Sequence, residues 1–199
     1  GVDRETGAAQ FRNHEGKIVA SSELTDEDMT DIGSAIPKFT YGITLNLEYK
    51  GFDFTAFGTG VAGNKIFNIL YRADSPLRNS LKYYMDNAWT PENKGASMPA
   101  VNNVATDLNF WSSSAAMFNG SYFKIKQLQL GYTLPKRLTQ KVAIKDLRFF
   151  VSLDDFFTFS NYPGMDPETA TTGNNGGAGF DIGSYPTMKK CSFGASFSF

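Results

Sequence analysis

The stretch KFTYGITLNLEYKGFDFTAFGTGVA, Lys38–Ala62, decides the fold. In its first half Phe39, Tyr41, Ile43, Leu45, Leu47 and Tyr49 alternate with Lys38, Thr40, Gly42, Thr44, Asn46 and Glu48. A period of two belongs to a strand, whose successive side chains point to opposite faces. One face is therefore aromatic and aliphatic, the other polar. The alternation runs for twelve residues, about twice the usual strand of a soluble domain. Lys50-Gly51 supplies a tight turn, after which Phe52, Phe54 and Ala56 oppose Asp53, Thr55 and Phe57. Two strands joined by a short glycine turn make a hairpin.

The same pattern returns three times. In Ser121–Leu134, Phe123 and Ile125 share a face, but Leu128, Leu130, Tyr132 and Leu134 are out of phase by one residue. That slip predicts a β-bulge near Lys126-Gln127. In Leu147–Ser160, Leu147, Phe149, Val151 and Leu153 oppose Arg148, Phe150, Ser152 and Asp154. In the closing CSFGASFSF, Cys191, Phe193, Ala195, Phe197 and Phe199 oppose Ser192, Gly194, Ser196 and Ser198. A terminus is ordinarily polar and poorly ordered, so a greasy final strand calls for an apolar partner. The predicted strands lie near 38–49, 52–62, 121–134, 147–160 and 186–199.

The links between them alternate in length. Lys50-Gly51 and 135–146 are short, whereas 63–119 and 161–185 far exceed the common two to six residues and are read as functional. Within the first long link, NKIFNILYRA and LRNSLKYYMDNAW have helical spacing and TPENKGASMPAVNN has loop chemistry. In an antiparallel sheet all the short links then fall at one end and all the long ones at the other. That asymmetry marks a transmembrane β-barrel, with brief periplasmic turns and extended outer loops. Tyr49, Phe52, Tyr132 and Phe199 fall beside the short-turn end, where interface aromatics belong. On this reading Tyr41, Ile43, Leu45, Leu47, Phe149, Val151, Phe193 and Phe197 face lipid, while Thr44, Asn46, Glu48, Arg148 and Ser152 face inward. Open sheet edges are not tolerated in lipid, and the smallest barrels have about eight strands. Further strands are thus expected from sequence outside this chain.

These residues also carry a resemblance. IPKFTYGITLNLEYKGFDFTAFGTGVAGNKIFN, GSYFKIKQLQLGYTLPKRL, LRFFVSLDDFFTFSNYPGMDPE and GSYPTMKKCSFGASFSF resemble the C-terminal barrel region of SusC/RagA-type TonB-dependent outer-membrane transporters. The resemblance implies a bacterium of the Bacteroidota and an all-β, antiparallel barrel of the ~22-strand class with an internal plug. Residues 38–199 would give about its last five strands, with long extracellular loops carrying short helices. Residues 1–37 are read as an extracellular loop whose acidic run, Glu23–Asp31, lacks the glycine of a calcium loop. The implied partners are the plug and earlier strands of the same transporter, a SusD-like lipoprotein lid, outer-membrane lipid, and TonB through an N-terminal part with no counterpart here. The implied function is import of oligosaccharides. Alternatives are an oligopeptide importer of the same family, or a passive porin or adhesin barrel.

Composition and motifs bound the chemistry. A net charge of −1 over 199 residues gives no basic footprint for nucleic acid. No run of about 18 apolar residues is present to form a membrane-spanning helix. A soluble β-sandwich would need short turns at both ends. His14, the sole histidine, sits in a polar stretch, and with Cys191 as the sole cysteine neither a catalytic triad nor a metal site is expected. Cys191 reads as a small hydrophobe on the lipid side. Asp154-Asp155 are neighbours on a strand and point to opposite faces, so they read as lumen or rim carboxylates, not an acid pair. GNNGG, residues 173–177, lacks the following Lys-Ser/Thr of a phosphate loop. No enzyme activity and no cofactor are expected. In the long loops Trp89, Trp111, Tyr162, Asp166 and Tyr185 are the candidate substrate or lid contacts: flat rings to stack on sugars, with carboxylates and amides to hydrogen-bond. The competing reading packs these aromatics loop against loop, or against the lid protein.

Overall fold

The computed structural model describes residues 1–70, 81–139, 141, 144–172, 177–183 and 185–199. Its strands are β1 (Phe11–Arg12), β2 (Ile18–Val19), β3 (Phe39–Tyr49), β4 (Phe52–Ala62), β5 (Lys65–Asn68), β6 (Met117–Asn119), β7 (Tyr122–Thr133), β8 (Asp146–Ser160), β9 (Phe180–Asp181) and β10 (Lys190–Ser198). Among the described residues, short α-helices lie between them: α1 (Lys82–Asp86), α2 (Val101–Val104), α3 (Leu108–Trp111), α4 (Lys136–Thr139) and α5 (Pro167–Thr172). The chain divides into two units, one of residues 1–36, 64–120 and 162–185, the other of 37–63, 121–161 and 186–199.

The second unit is one antiparallel sheet in the order β10-β8-β7-β4-β3. Its register turns the sequence alternation into rows across the sheet. Leu45, Ala56, Leu128, Leu153 and Cys191 stand side by side, as do Leu47, Phe54, Leu130, Val151 and Phe193, and Tyr49, Phe52, Tyr132, Phe149 and Ala195. On the other face run Asn46, Thr55, Gln129, Ser152 and Ser192. The chain makes the β3–β4 turn with Lys50 at φ 49° and Gly51 at φ 86°. Left-handed backbone of this kind suits glycine and twists the turn to match the strands. A register shift between Ile125 and Gln127 leaves Lys126 as the extra residue of β7. It brings Phe123 and Ile125 into phase with Leu128, Leu130 and Tyr132, so one apolar face continues past the bulge. β8 adapts with Asp155 at φ 57°, and its carboxylate meets the Lys126 ammonium at 2.7 Å.

The terminal strand is shorter than the sequence suggested: Pro186–Lys189 precede β10 outside the ladder. A larger correction concerns NKIFNILYRA. Lys65–Asn68 are extended, not helical, paired antiparallel with β6 and parallel with β9, while residues 71–73 lie outside the described part. Ile66 is fully buried there. Partners distant in sequence thus override a helical spacing that spans too few residues to decide. In LRNSLKYYMDNAW only Lys82–Asp86 form a helix, with 77–80 outside the described residues, as is most of GNNGG. The long links are therefore no bare loops. With residues 1–36 they build a unit with its own three-stranded sheet β6-β5-β9 and a core of Ile66, Tyr162 and Ala170 joined by Phe118.

Candidate functional site

Large apolar side chains lie exposed on one face of the strand unit, while on the other face the inner strands β7 and β8 bury polar ones, the reverse of a soluble protein. Leu45 is 47% exposed, Phe149 49% and Phe193 83%, whereas on the opposite face Lys124 is 2% and Ser152 4% exposed. The apolar rows form a continuous exposed surface, far larger than an ordinary surface hydrophobe requires. The polar face is organised by charge. Arg148 donates from Nε to Asp53 at 2.8 Å and from a terminal nitrogen to the other carboxylate oxygen, a two-point pair between residues 95 apart in sequence. Gly131 makes room for it, since a Cβ there would collide with both the guanidinium and the carboxylate. The Arg148 guanidinium also lies 5.1 Å from the Phe150 ring centre, and that ring lies over Gly194. Lys124 donates to Thr187 at 2.5 Å, and Ser152 to Asp154 at 2.8 Å. Buried polar groups persist only when hydrogen-bonded, and these are.

The loop unit holds all five candidate contacts read from the sequence, and it uses four of them structurally. Trp89 donates its indole N–H to the Arg4 carbonyl at 2.9 Å and lies so close over Gly7 that a Cβ there would meet the ring at 2.5 Å. Tyr162 is buried; its hydroxyl donates to Asp181 at 2.5 Å and accepts from the Asn68 amide at 2.9 Å. Burial, then the Asp181 carboxylate, push its phenol far above the ordinary range. Asp166 is buried and accepts from the Glu168 N–H at the start of α5. Trp111 donates to the Val104 carbonyl at 2.8 Å and packs edge-on to Tyr84. These two rings, with Met98, Pro99, Val104 and Phe110, line a small apolar hollow. Of the five candidates Tyr185, 79% exposed, alone presents an open ring. Near the start of the chain Asp28 accepts from the His14 and Thr25 backbone N–H groups and the His14 ring, which hold its carboxyl well below the usual aspartate range. Spacing alone could not have found the Asp53–Arg148 pair; the strand register reveals it.

At the short-turn end Tyr49, Phe52, Tyr132 and Phe149 form one row, with Phe52 and Tyr132 rings 4.5 Å apart. Phe199 follows β10 with its ring 5.5 Å from Phe197.

No protein-family model matches the chain. TonB-dependent receptor P3 of Formosa agariphila is 32% identical over 205 residues, covering 99% of this chain and 19% of that protein. TonB-dependent receptor P26 of the same organism is 25% identical, over 97% of the chain and 20% of the relative. Among solved structures, the RagAB peptide importer in its open-open state superposes over the whole chain and 21% of its own, with a TM-score of 0.76 at 24% identity. The chain belongs to the TonB-dependent receptors, with the fold seen in the RagAB structures. This receptor segment spans about one fifth of the length of the relatives it matches. It belongs to the outer membrane as antiparallel β-barrel wall. The relatives are named as receptors and importers, not enzymes, and the Formosa relatives accord with an origin in the Bacteroidota.

Proposed function

We propose that the receptor segment supplies part of the wall and outer loops of a TonB-dependent importer of oligomeric nutrients, oligosaccharides in the first instance. The carrying observation is the five-stranded wall with an exposed apolar face, a polar inner face and every long connection at one end. In this reading residues 1–36, 64–120 and 162–185 are extracellular and meet substrate and a SusD-like lipoprotein. The polar face lines the lumen against the plug, earlier strands complete the barrel, and TonB couples through the plug domain's leading segment. Tyr49, Phe52, Tyr132 and Phe199 belong to the periplasmic interface girdle. An oligopeptide is the second reading: the RagAB structures are described as a peptide importer, although at 24% identity that likeness speaks for the fold.

The exposed ring Tyr185 and exposed apolar Met85 and Leu108 are the surfaces to test. Tyr185→Ala and Leu108→Asp in the full-length receptor should impair growth on the cognate oligosaccharide or recovery of the lipoprotein with the barrel, while heat-modifiable barrel in the outer membrane stays constant. Unchanged growth and unchanged recovery in both variants would refute the loop assignment. Growth loss confined to peptide as sole nutrient would replace oligosaccharide with peptide.

A further inference from the structure

The net charge of −1 conceals a partition. The strand unit carries eleven Lys and Arg against five Asp and Glu, net +6, and the loop unit eight against fifteen, net −7. In the strand unit Asp53 is held by Arg148 and Asp155 by Lys126, while Asp154 and Asp146 accept from Ser152 and Ser198. At the short-turn end the cations lack such partners. Lys50, Lys136, Arg137 and Lys145 are all exposed, and among the described residues none of them pairs with a carboxylate.

Backbone hydrogen bonds hold these four on one rim. Thr133 N–H donates to the Gly51 carbonyl at 2.7 Å, Leu134 to Leu147 at 2.9 Å and Lys145 to Ser198 at 2.8 Å, so the β3–β4 turn, α4 and the start of β8 line up along the sheet end. Lys50 Nζ lies 5.1 Å from the Tyr49 ring centre. Leu138, 49% exposed, sits beside Arg137 in α4. Next to the rim runs the row Tyr49, Phe52, Tyr132 and Phe149. A strip of rings bordered by unpaired cations matches a lipid whose acyl chains end in a phosphodiester: rings contact the upper chains, and cations take the phosphate oxygens.

We infer that the short-turn rim of the barrel wall binds anionic phospholipid, with Lys50, Lys136, Arg137 and Lys145 on the head-group phosphates. The inference rests on the reading of this end as the periplasmic membrane interface. Its occupant follows from charge complementarity: four exposed cations, none of them ion-paired, outnumber the exposed carboxylates of Glu48 and Asp146 at this end, so the rim attracts an anionic surface and gains little from a zwitterionic one.

The test uses the full-length receptor, extracted and exchanged into phosphatidylglycerol or phosphatidylcholine, with retained lipid counted by native mass spectrometry. Wild type should retain phosphatidylglycerol over phosphatidylcholine by about tenfold or more, the scale expected of several phosphate-facing cations, and lose the preference at high salt. The combined K50Q/K136Q/R137Q/K145Q variant should lose it, and a Lys-to-Arg, Arg-to-Lys version should keep it. Lys189→Gln with Lys190→Gln, at the start of β10 and away from the short-turn rim, should leave it intact. Equal retention of the two lipids by wild type, or full retention by the charge-neutral variant, overturns the inference. So does displacement by millimolar inorganic phosphate, or a preference transferred to an acidic soluble protein. Should the combined variant fail to insert, the wild-type lipid and salt dependence decides alone. Quenching of a fluorophore at Tyr49 by lipid-borne nitroxide separates the two readings. No quenching defeats the interface assignment itself, whereas quenching without anionic preference defeats this inference only.

Discussion

Placing arginine at Leu45 should damage this barrel far more than placing it at Thr44, one residue away. Leu45 lies on the exposed apolar face beside Ala56, and Thr44 on the polar face opposite Phe57. Leu45 is four residues from Tyr49 in the proposed interface row. At about 3.4 Å per residue that is roughly 13–14 Å along the strand. With a tilt near 45°, it stands about 10 Å from the interface of an apolar band roughly 25 Å tall, close to the midplane. There an arginine on the lipid face costs about 2–4 kcal/mol. At Thr44 the guanidinium meets a polar surface that already hosts Arg148, and the expected cost is below about 1 kcal/mol. Denaturant titration of the full-length receptor folded into vesicles, scored by heat-modifiable mobility, reads the difference. The reasoning fails if Thr44→Arg costs as much as Leu45→Arg, because the two faces would then be interchangeable or reversed.

Gly131→Ala should cost about 1–3 kcal/mol by overpacking the Asp53–Arg148 pair. Combined with Arg148→Ala the loss should be clearly less than additive, as a double-mutant cycle would measure. Tyr162→Phe strips the hydroxyl that Asp181 and Asn68 share and should lower loop-unit stability by about 1–3 kcal/mol, read as faster limited proteolysis. Gly7→Ala adds a methyl where the Trp89 ring already sits and where φ is +69°, so protease sensitivity near the start of the chain should rise. Asp28 has a lowered folded-state pKa, so its contribution is complete above the ordinary value of 3.8 and disappears as pH falls through the depressed one. Amide exchange at His14 and Thr25 should therefore stay slow at about pH 4 and quicken only on further acidification; quickening already between about pH 5 and 4 would contradict this.

Lys38–Ala62 and its later counterparts determined the wall by themselves. Alternation over so many residues admits only strands, Lys50-Gly51 fixes the hairpin, and the phase slip at Lys126 places the bulge where β7 has it. These signals were legible because a strand's face is a local property, set every second residue and repeated many times. The tertiary structure alone decided the rest. It drew Lys65–Asn68 into a sheet with Met117–Asn119 and Phe180–Asp181, joined Asp53 to Arg148, and buried Tyr162 and Asp166 where the sequence offered them as contacts. It also sorted a nearly neutral chain into a basic wall and an acidic loop unit. Each of these outcomes depends on partners tens of residues away, and a four-residue apolar spacing or a lone ring in a loop carries no record of which partner it will meet.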